Sequence, residues 1–330
     1  MIDEDSDQTA CTGPDDRPPI LVIGGTGHVG AALCQFLSAR GHRVIAANRS
    51  QEFSFDDPGI GCLRFDVLAP PETDRLPAAR TVVICPWVDQ HSVSRPWIDG
   101  LVRRLAEAGT RSLIYLSSMR VYGGEPEGLL VESAPVAPTN AYGSAHLLNE
   151  VTLSEGAREL GVDVAILRMA NLVGPDPFFG LRTKIAFAHE FLEMALFDRL
   201  IVLRSAPSTP RNLLPGSLFH HDIEPLLDRQ TTEGRVEIFN VGSGSTSTMV
   251  GLAREIAMIA ERYHGGAVAI EHPEESTPQP WFHLDTTRIR SLAGPGVDDL
   301  AAELSLILRN VVASRGPATV NGTHHFGFVG

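Results

Sequence analysis

Lysine is almost missing from this chain of 330 residues: Lys184 stands alone, and arginine supplies every other fixed cation. An amine side chain is thereby excluded as catalytic base or charge donor everywhere but at one position. Cysteine is scarce too. Cys11, Cys34, Cys62 and Cys85 form no CxxC spacing and no Cys/His pair, which points to reduced thiols in a cytoplasmic protein and away from a zinc site. No apolar run approaches the roughly 20 residues of a membrane helix. The start, Met1-Ile2-Asp3-Glu4-Asp5, is acidic where a secretory signal is basic. Positive charge is short overall, and a net charge of −13 sets the chain against a nucleic-acid backbone as partner. The expected partner is a small molecule, with no nucleic acid, membrane or metal.

What is present is a soluble-protein balance, 43% hydrophobic and 20% charged, arranged as strands alternating with helices. Residues 1–17 are polar and acidic and read as a disordered leader. Ile20-Leu21-Val22-Ile23 is a continuous apolar strand, and Val29 to Arg40 a helix with Val29, Leu33 and Leu37 on one face, ending at Gly41. Apolar runs at 43–47, 62–65, 81–85, 112–116 and 162–167 continue the alternation, with helices near 97–108 and after Tyr142. The pattern predicts an α/β fold, a doubly wound parallel Rossmann sheet with a smaller C-terminal substrate lobe. The dinucleotide domain is expected over 18–175 with a return segment near 216–245, the lobe over 176–215 and 246–313, and a flexible tail over 314–330.

The turn Gly24-Gly25-Thr26-Gly27-His28-Val29-Gly30 follows the first strand and opens a helix. In such a turn the glycines permit the tight bend, the approach of backbone to a pyrophosphate, and close helix–strand packing. Gly24, Gly27 and Gly30, with His28 and Val29 between them, are the expected cofactor contacts. The second strand ends in Asn48-Arg49 without an acid. A carboxylate there would take a ribose 2′-hydroxyl, whereas arginine can pair with a 2′-phosphate, so NADP(H) is favoured over NAD(H). Asp66, just past the third strand, would cap the adenine amino group, with Val67 beside it in the same set.

The glycine turn, Asp66, Leu116-Ser117-Ser118-Met119-Arg120-Val121-Tyr122-Gly123, Pro138-Thr139-Asn140-Ala141-Tyr142-Gly143, Leu167-Arg168-Met169-Ala170-Asn171-Leu172-Val173-Gly174-Pro175, Phe219-His220-His221-Asp222 and Phe239-Asn240-Val241-Gly242 occur in order. On these motifs the chain resembles the extended short-chain dehydrogenase/reductase family, the epimerase/dehydratase type, over nearly all of 19–310. The resemblance implies Tyr142 as general acid or base and Ser118 as the hydrogen bond to the substrate oxygen. It puts His146 where the family carries a lysine that holds the nicotinamide ribose and lowers the tyrosine pKa. A free phenol ionises near about 10, and a histidine loses most of its charge above about pH 6.5, so His146 should depress Tyr142 weakly at neutrality. The family's proton-relaying helix asparagine is replaced near Trp97.

Asn171, Phe178 and Phe179 are the expected substrate contacts with Ser118. The arginine with which nucleotide-sugar members clamp a diphosphate has no counterpart just before Phe219, Arg211 standing several residues too early. Read as an extended segment, His220-His221-Asp222 cannot converge on one ion, because alternate side chains face opposite ways. The resemblance further implies a homodimer through 97–108 and 142–160. The expected activity is that of an NADP(H)-dependent oxidoreductase on a carbonyl or secondary alcohol of a small, biosynthetic or sugar-related molecule. Two alternatives stay open: a non-redox lyase, isomerase or cyclase using Tyr142 or His146, and an inactive NADP-sensing binding protein.

Overall fold

Ile20–Ile23 has no polar side chain and is fully buried, as a strand covered on both faces must be. A computed structural model describes residues 17–49, 54–67, 76–85, 95–181, 186–229, 233–274 and 280–315. This strand is central in a seven-stranded parallel sheet. From one edge the order is Val236–Val241, Asp163–Met169, Ser112–Ser118, Thr81–Ile84, Ile20–Ile23, Val44–Asn48 and Ile60–Arg64. Every pairing is parallel, and one apolar cluster packs on each face. The doubly wound sheet expected from the alternation is the one found. The leader up to residue 16, most of the tail, and Lys184 lie outside the described residues.

The chain reverses its direction of sheet growth between Ile20–Ile23 and Thr81–Ile84, so a crevice opens at their carboxyl ends. Gly24 stands at that point with φ +80°, and a Cβ on it would lie 2.1 Å from the Cys85 carbonyl oxygen. Only glycine fits both constraints. Cys34, Cys62 and Cys85 are free thiols.

A third apolar cluster forms the lobe, built from the helices Phe187–Glu193, Met249–His264 and Leu300–Arg315. The last of these runs into the segment read as tail. Short strands that carry no periodic signal in the sequence fasten the lobe to the sheet domain. Pro210–Pro215 pairs in parallel with Asn171–Val173 and antiparallel with Thr246–Thr248.

The helix Ala141–Leu160 carries Tyr142. Asn140 caps it, its side chain accepting from the Gly143 N–H at 2.8 Å, and left-handed Gly161 ends it. One buried ion pair holds it to the sheet. Arg168 and Glu150 are 4% and 3% exposed, and Arg168 Nη2 donates to Glu150 Oε2 at 2.8 Å. Arg168 Nη1 donates to the Glu132 carbonyl and to Tyr122 Oη, which donates in turn to Asn240. Ser117 Oγ donates to Glu150 Oε1 at 2.5 Å. Removing one partner of such a pair strands the other charge in an apolar interior. Glu150→Ala is therefore expected to cost about 3–5 kcal/mol in urea unfolding, while Glu150→Leu combined with Arg168→Met costs much less. Equal losses in the two variants would mean that the pair carries no such constraint.

Candidate active site

The helix His28–Ala39 starts at the glycine turn with no side-chain cap. Its first intrahelical acceptor is the Gly27 carbonyl, taken by the Ala31 N–H at 2.7 Å. The main-chain donors of His28, Val29 and Gly30 are thus available to an anion at a positive helix end. A Cβ on Gly30 would lie 2.2 Å from the Gly24 carbonyl oxygen, so the turn and the helix pack as a dinucleotide cradle requires. The His28 side chain has another task. Its Nε2 is 3.0 Å from the Gly174 carbonyl oxygen, and its ring meets His189 edge-on. It pins the turn to the start of the lobe, leaving its main-chain N–H for a ligand. Val29 packs against the core.

Asn48 is buried at the end of its strand, Arg49 is exposed just beyond it, and Asp66 and Val67 are half-buried. The four lie on adjacent strand ends on one side of the crevice.

On the other side stand Ser118, Tyr142 and His146. Ser118 ends its strand and caps the turn Met119–Tyr122, its Oγ accepting from the Arg120 N–H at 3.2 Å. That bond leaves the Ser118 hydroxyl proton free to donate. Burial raises the Tyr142 phenol above its ordinary value of 10.0, against the lowering effect of the Ser118 hydroxyl and the Arg120 charge. The phenol is therefore protonated at neutral pH.

His146, which the resemblance puts toward the nicotinamide ribose, lies in the protein interior. It is 2% exposed, and its Nδ1 lies 2.8 Å from Tyr115 Oη. Asn149 Nδ2 donates to the same phenol oxygen at 3.0 Å. The Tyr115 proton thus goes to Nδ1, and the imidazole carries its own proton at Nε2. That nitrogen is buried with no partner among the described residues. The His146 and Tyr142 rings meet edge to face with centroids 4.6 Å apart. Burial takes the His146 pKa down to about 4. The cation expected to be partly present near neutrality is absent there altogether.

A shallow cleft opens next to the turn that follows Ser118, lined by Arg120, Asn171, Thr209, Arg211 and Phe282 among others. Arg211 stands here although its linear position argued against a clamp. The register Leu213↔Asn171 brings the start of its strand beside Asn171, whose Nδ2 donates to the Asn212 carbonyl. Burial and the nearby Arg120 charge lower the Arg211 pKa to about 10. Two half-buried guanidinium groups so placed give the cleft wall a local positive potential. Sequence reading missed Arg120 as well, although a charge between buried Met119 and Val121 was its available signal.

Phe178 and Phe179 do not line the cleft. Phe179 stacks on His189 in the lobe core, and Phe178 packs against Phe55. Burying aromatic area outweighed the exposure that a substrate contact would need. The segment Gly216–Ile223 is helical rather than extended. His220 stacks on Phe36, His221 lies 3.4 Å from Asp222, and Asp222 accepts from Arg290.

A glycine turn opening a helix at the switch point of a parallel sheet defines a protein of the dinucleotide-binding fold. The sequence pattern of the NAD dependent epimerase/dehydratase family matches residues 20–195, and the chain belongs to that family. It is 28% identical over 188 residues to a mouse dTDP-D-glucose 4,6-dehydratase, covering 57% of this chain and 48% of that protein. The chain spans about half the length of the curated relatives it matches. Among solved structures it resembles MoeE5 in complex with UDP-glucose and NAD, with TM-score 0.73, 19% identity, and coverage of 90% and 100%. It also resembles a UDP-N-acetylglucosamine 4-epimerase from Methanobrevibacter ruminantium M1 in complex with UDP-N-acetylmuramic acid, with TM-score 0.75, 16% identity, and coverage of 91% and 99%.

A histidine whose folded pKa lies near 4 against 6.5 unfolded favours the folded state only while neutral. Its contribution is complete above pH 6.5 and is lost as the pH falls toward 4. The urea midpoint should drop across that window, and His146→Gln should remove part of the drop. An unchanged slope in the variant would contradict the buried neutral imidazole.

Proposed function

We propose that this chain is an NADP(H)-dependent oxidoreductase acting on the carbonyl or secondary alcohol of an anionic small molecule, with Tyr142 as the proton-transferring group. A nucleotide-linked sugar is the substrate class that its relatives' names suggest. The observation that carries the reading is Tyr142 hydrogen-bonded to Ser118 in a fold whose first strand ends in a glycine turn suited to a dinucleotide. The nicotinamide, when bound, supplies or accepts hydride. The main chain at Gly24, Gly27 and His28 to Gly30 would hold the pyrophosphate, and Asp66 with Val67 would hold the adenine. Asn48 and Arg49 would face the adenosine ribose, with Arg49 supporting a 2′-phosphate. The orphaned His146 Nε2–H would donate to a ribose hydroxyl, and Asn171 would bind the substrate with Arg120 and Arg211.

Ser118 donates its free proton to the substrate oxygen and so fixes the carbonyl against Tyr142. Tyr142, protonated across the neutral range, gives its proton to that oxygen as negative charge develops on it. Carbonyl reduction is thus the favoured direction. Alcohol oxidation needs the phenolate, which an upward-shifted phenol supplies less readily.

The reduction rate, kcat/KM, is expected to stay flat from pH 6 to 9, while the oxidation rate climbs steadily toward pH 10 and beyond. Tyr142→Phe should lower both at least about a hundredfold. A variant that retains full turnover would instead favour a cofactor-sensing protein. For the cofactor, Arg49→Ala should weaken NADPH binding about tenfold or more and leave NADH unchanged, read by fluorescence titration. Equal effects on the two would remove the basis for the NADP preference.

A second reading follows from the dehydratase and epimerase names among the relatives. In it Tyr142 removes and returns a proton with no net change in the cofactor. Product formation without NADPH consumption in a coupled assay distinguishes it.

A further inference from the structure

The tyrosine helix carries no cation near its phenol, yet a proton donor that becomes a phenolate needs one close by. His146, one turn along, is neutral. Tyr115, beneath it, is pushed up by burial and stays an uncharged phenol. Ser118 is uncharged. Glu150, one turn beyond His146, is bonded to Arg168 and Ser117. Among the described residues, the charge that acts on Tyr142 belongs to the turn after the serine strand.

We propose that Arg120 is the fixed positive charge on which the Tyr142 phenolate relies, held in the turn Met119–Tyr122 at the cleft wall instead of on the tyrosine helix. Three features of the geometry carry this. The Arg120 backbone is locked at both ends, its N–H donated to Ser118 Oγ and its carbonyl packed on the tyrosine helix, where a Cβ on Gly143 would lie 2.5 Å from that oxygen. Its flanking residues, Met119, Val121 and Tyr122, are buried, so the side chain of Arg120 is the one that leaves the turn for the cleft. There it lines the wall with Arg211, and no carboxylate bonds to Arg120 among the described residues; Glu125 lines the same cleft from an exposed position. The direction in which the Arg120 charge moves the Tyr142 phenol agrees with this placement.

The charge has a second neighbour. Arg120 and Arg211 repel each other across the cleft, so an anionic group on the substrate relieves that repulsion as it binds. Arg120 is accordingly an electrostatic partner of Tyr142, acting through it on the substrate oxygen.

The inference rests on Tyr142 being the proton donor, but its test reads the phenol directly, so the two fail separately. Tyrosine labelled at the ring carbon bearing oxygen gives four NMR signals, with Tyr142 assigned by its loss in Tyr142→Phe. At pH 10, Arg120→Gln should lower the Tyr142 phenolate fraction several-fold, equivalent to a rise of roughly one pH unit in its midpoint. Arg120→Lys should keep most of the wild-type fraction. The proposal is overturned if folded Arg120→Gln titrates like wild type. An equal fall in Arg120→Lys also overturns it, since packing rather than charge would then be responsible.

Discussion

The site depends on the Glu150–Arg168 pair, because that interaction joins the elements whose relative placement creates it. Glu150 belongs to the tyrosine helix, Arg168 to the neighbouring strand, Ser117 to the serine strand, and Asn240 to the returning edge strand. A pair this deep loses a large hydration energy and recovers it only when every donor has a partner. That condition is met: all three guanidinium nitrogens of Arg168 donate, to Glu150, Tyr122 or the Glu132 carbonyl. Few other arrangements of helix on sheet would satisfy the same set. The network therefore sets the depth and rotation of the helix, and with them the position of Tyr142 against Ser118.

The two halves of the crevice work on different physics. The cofactor side is built from main-chain N–H groups and from the absence of side chains at Gly24 and Gly30. It binds by geometry and by the helix terminus. The side holding Ser118 and Tyr142 is built from side chains with displaced proton equilibria: a phenol shifted up, an imidazole held neutral, and a guanidinium shifted down by burial and by the Arg120 charge. The chain's net charge of −13 says nothing about this local field, which is positive.

Much of this is legible in the sequence. Continuous apolar runs and the spacing of Gly24, Gly27 and Gly30 report backbone requirements, which depend on residues close in the chain. The parallel sheet and the glycine turn at its first strand follow from them. Ser118, Tyr142 and His146 are also within reach, through the family resemblance that their motifs carry. What escapes depends on distant contacts. Arg211 is too far from Phe219 along the chain to suggest a clamp, yet pairing of its strand with the three-residue strand Asn171–Val173 carries it to the cleft. The burial of Phe179 depends on a lobe core assembled from three separate helices, and that of Phe178 on Phe55, more than a hundred positions earlier. The His146 environment depends on Tyr115, thirty-one positions earlier.

The absence of lysine from the helix is consistent with that network. A permanent cation at position 146 would be buried one turn from Glu150 and would compete with Arg168 for that carboxylate. A neutral imidazole donates a hydrogen bond without disturbing the pair. A charge at Arg120, at the cleft wall, avoids the competition and is only half-buried, so its desolvation cost is smaller. It also responds to what binds. An anionic substrate beside Arg120 and Arg211 offsets part of their field, and the Tyr142 phenol then holds its proton more firmly in the complex than in the free protein. Binding thus favours the protonated donor that carbonyl reduction needs, and the same arginine supports the phenolate once the proton has gone. An arrangement with the cation buried on the helix would supply the second effect without the first.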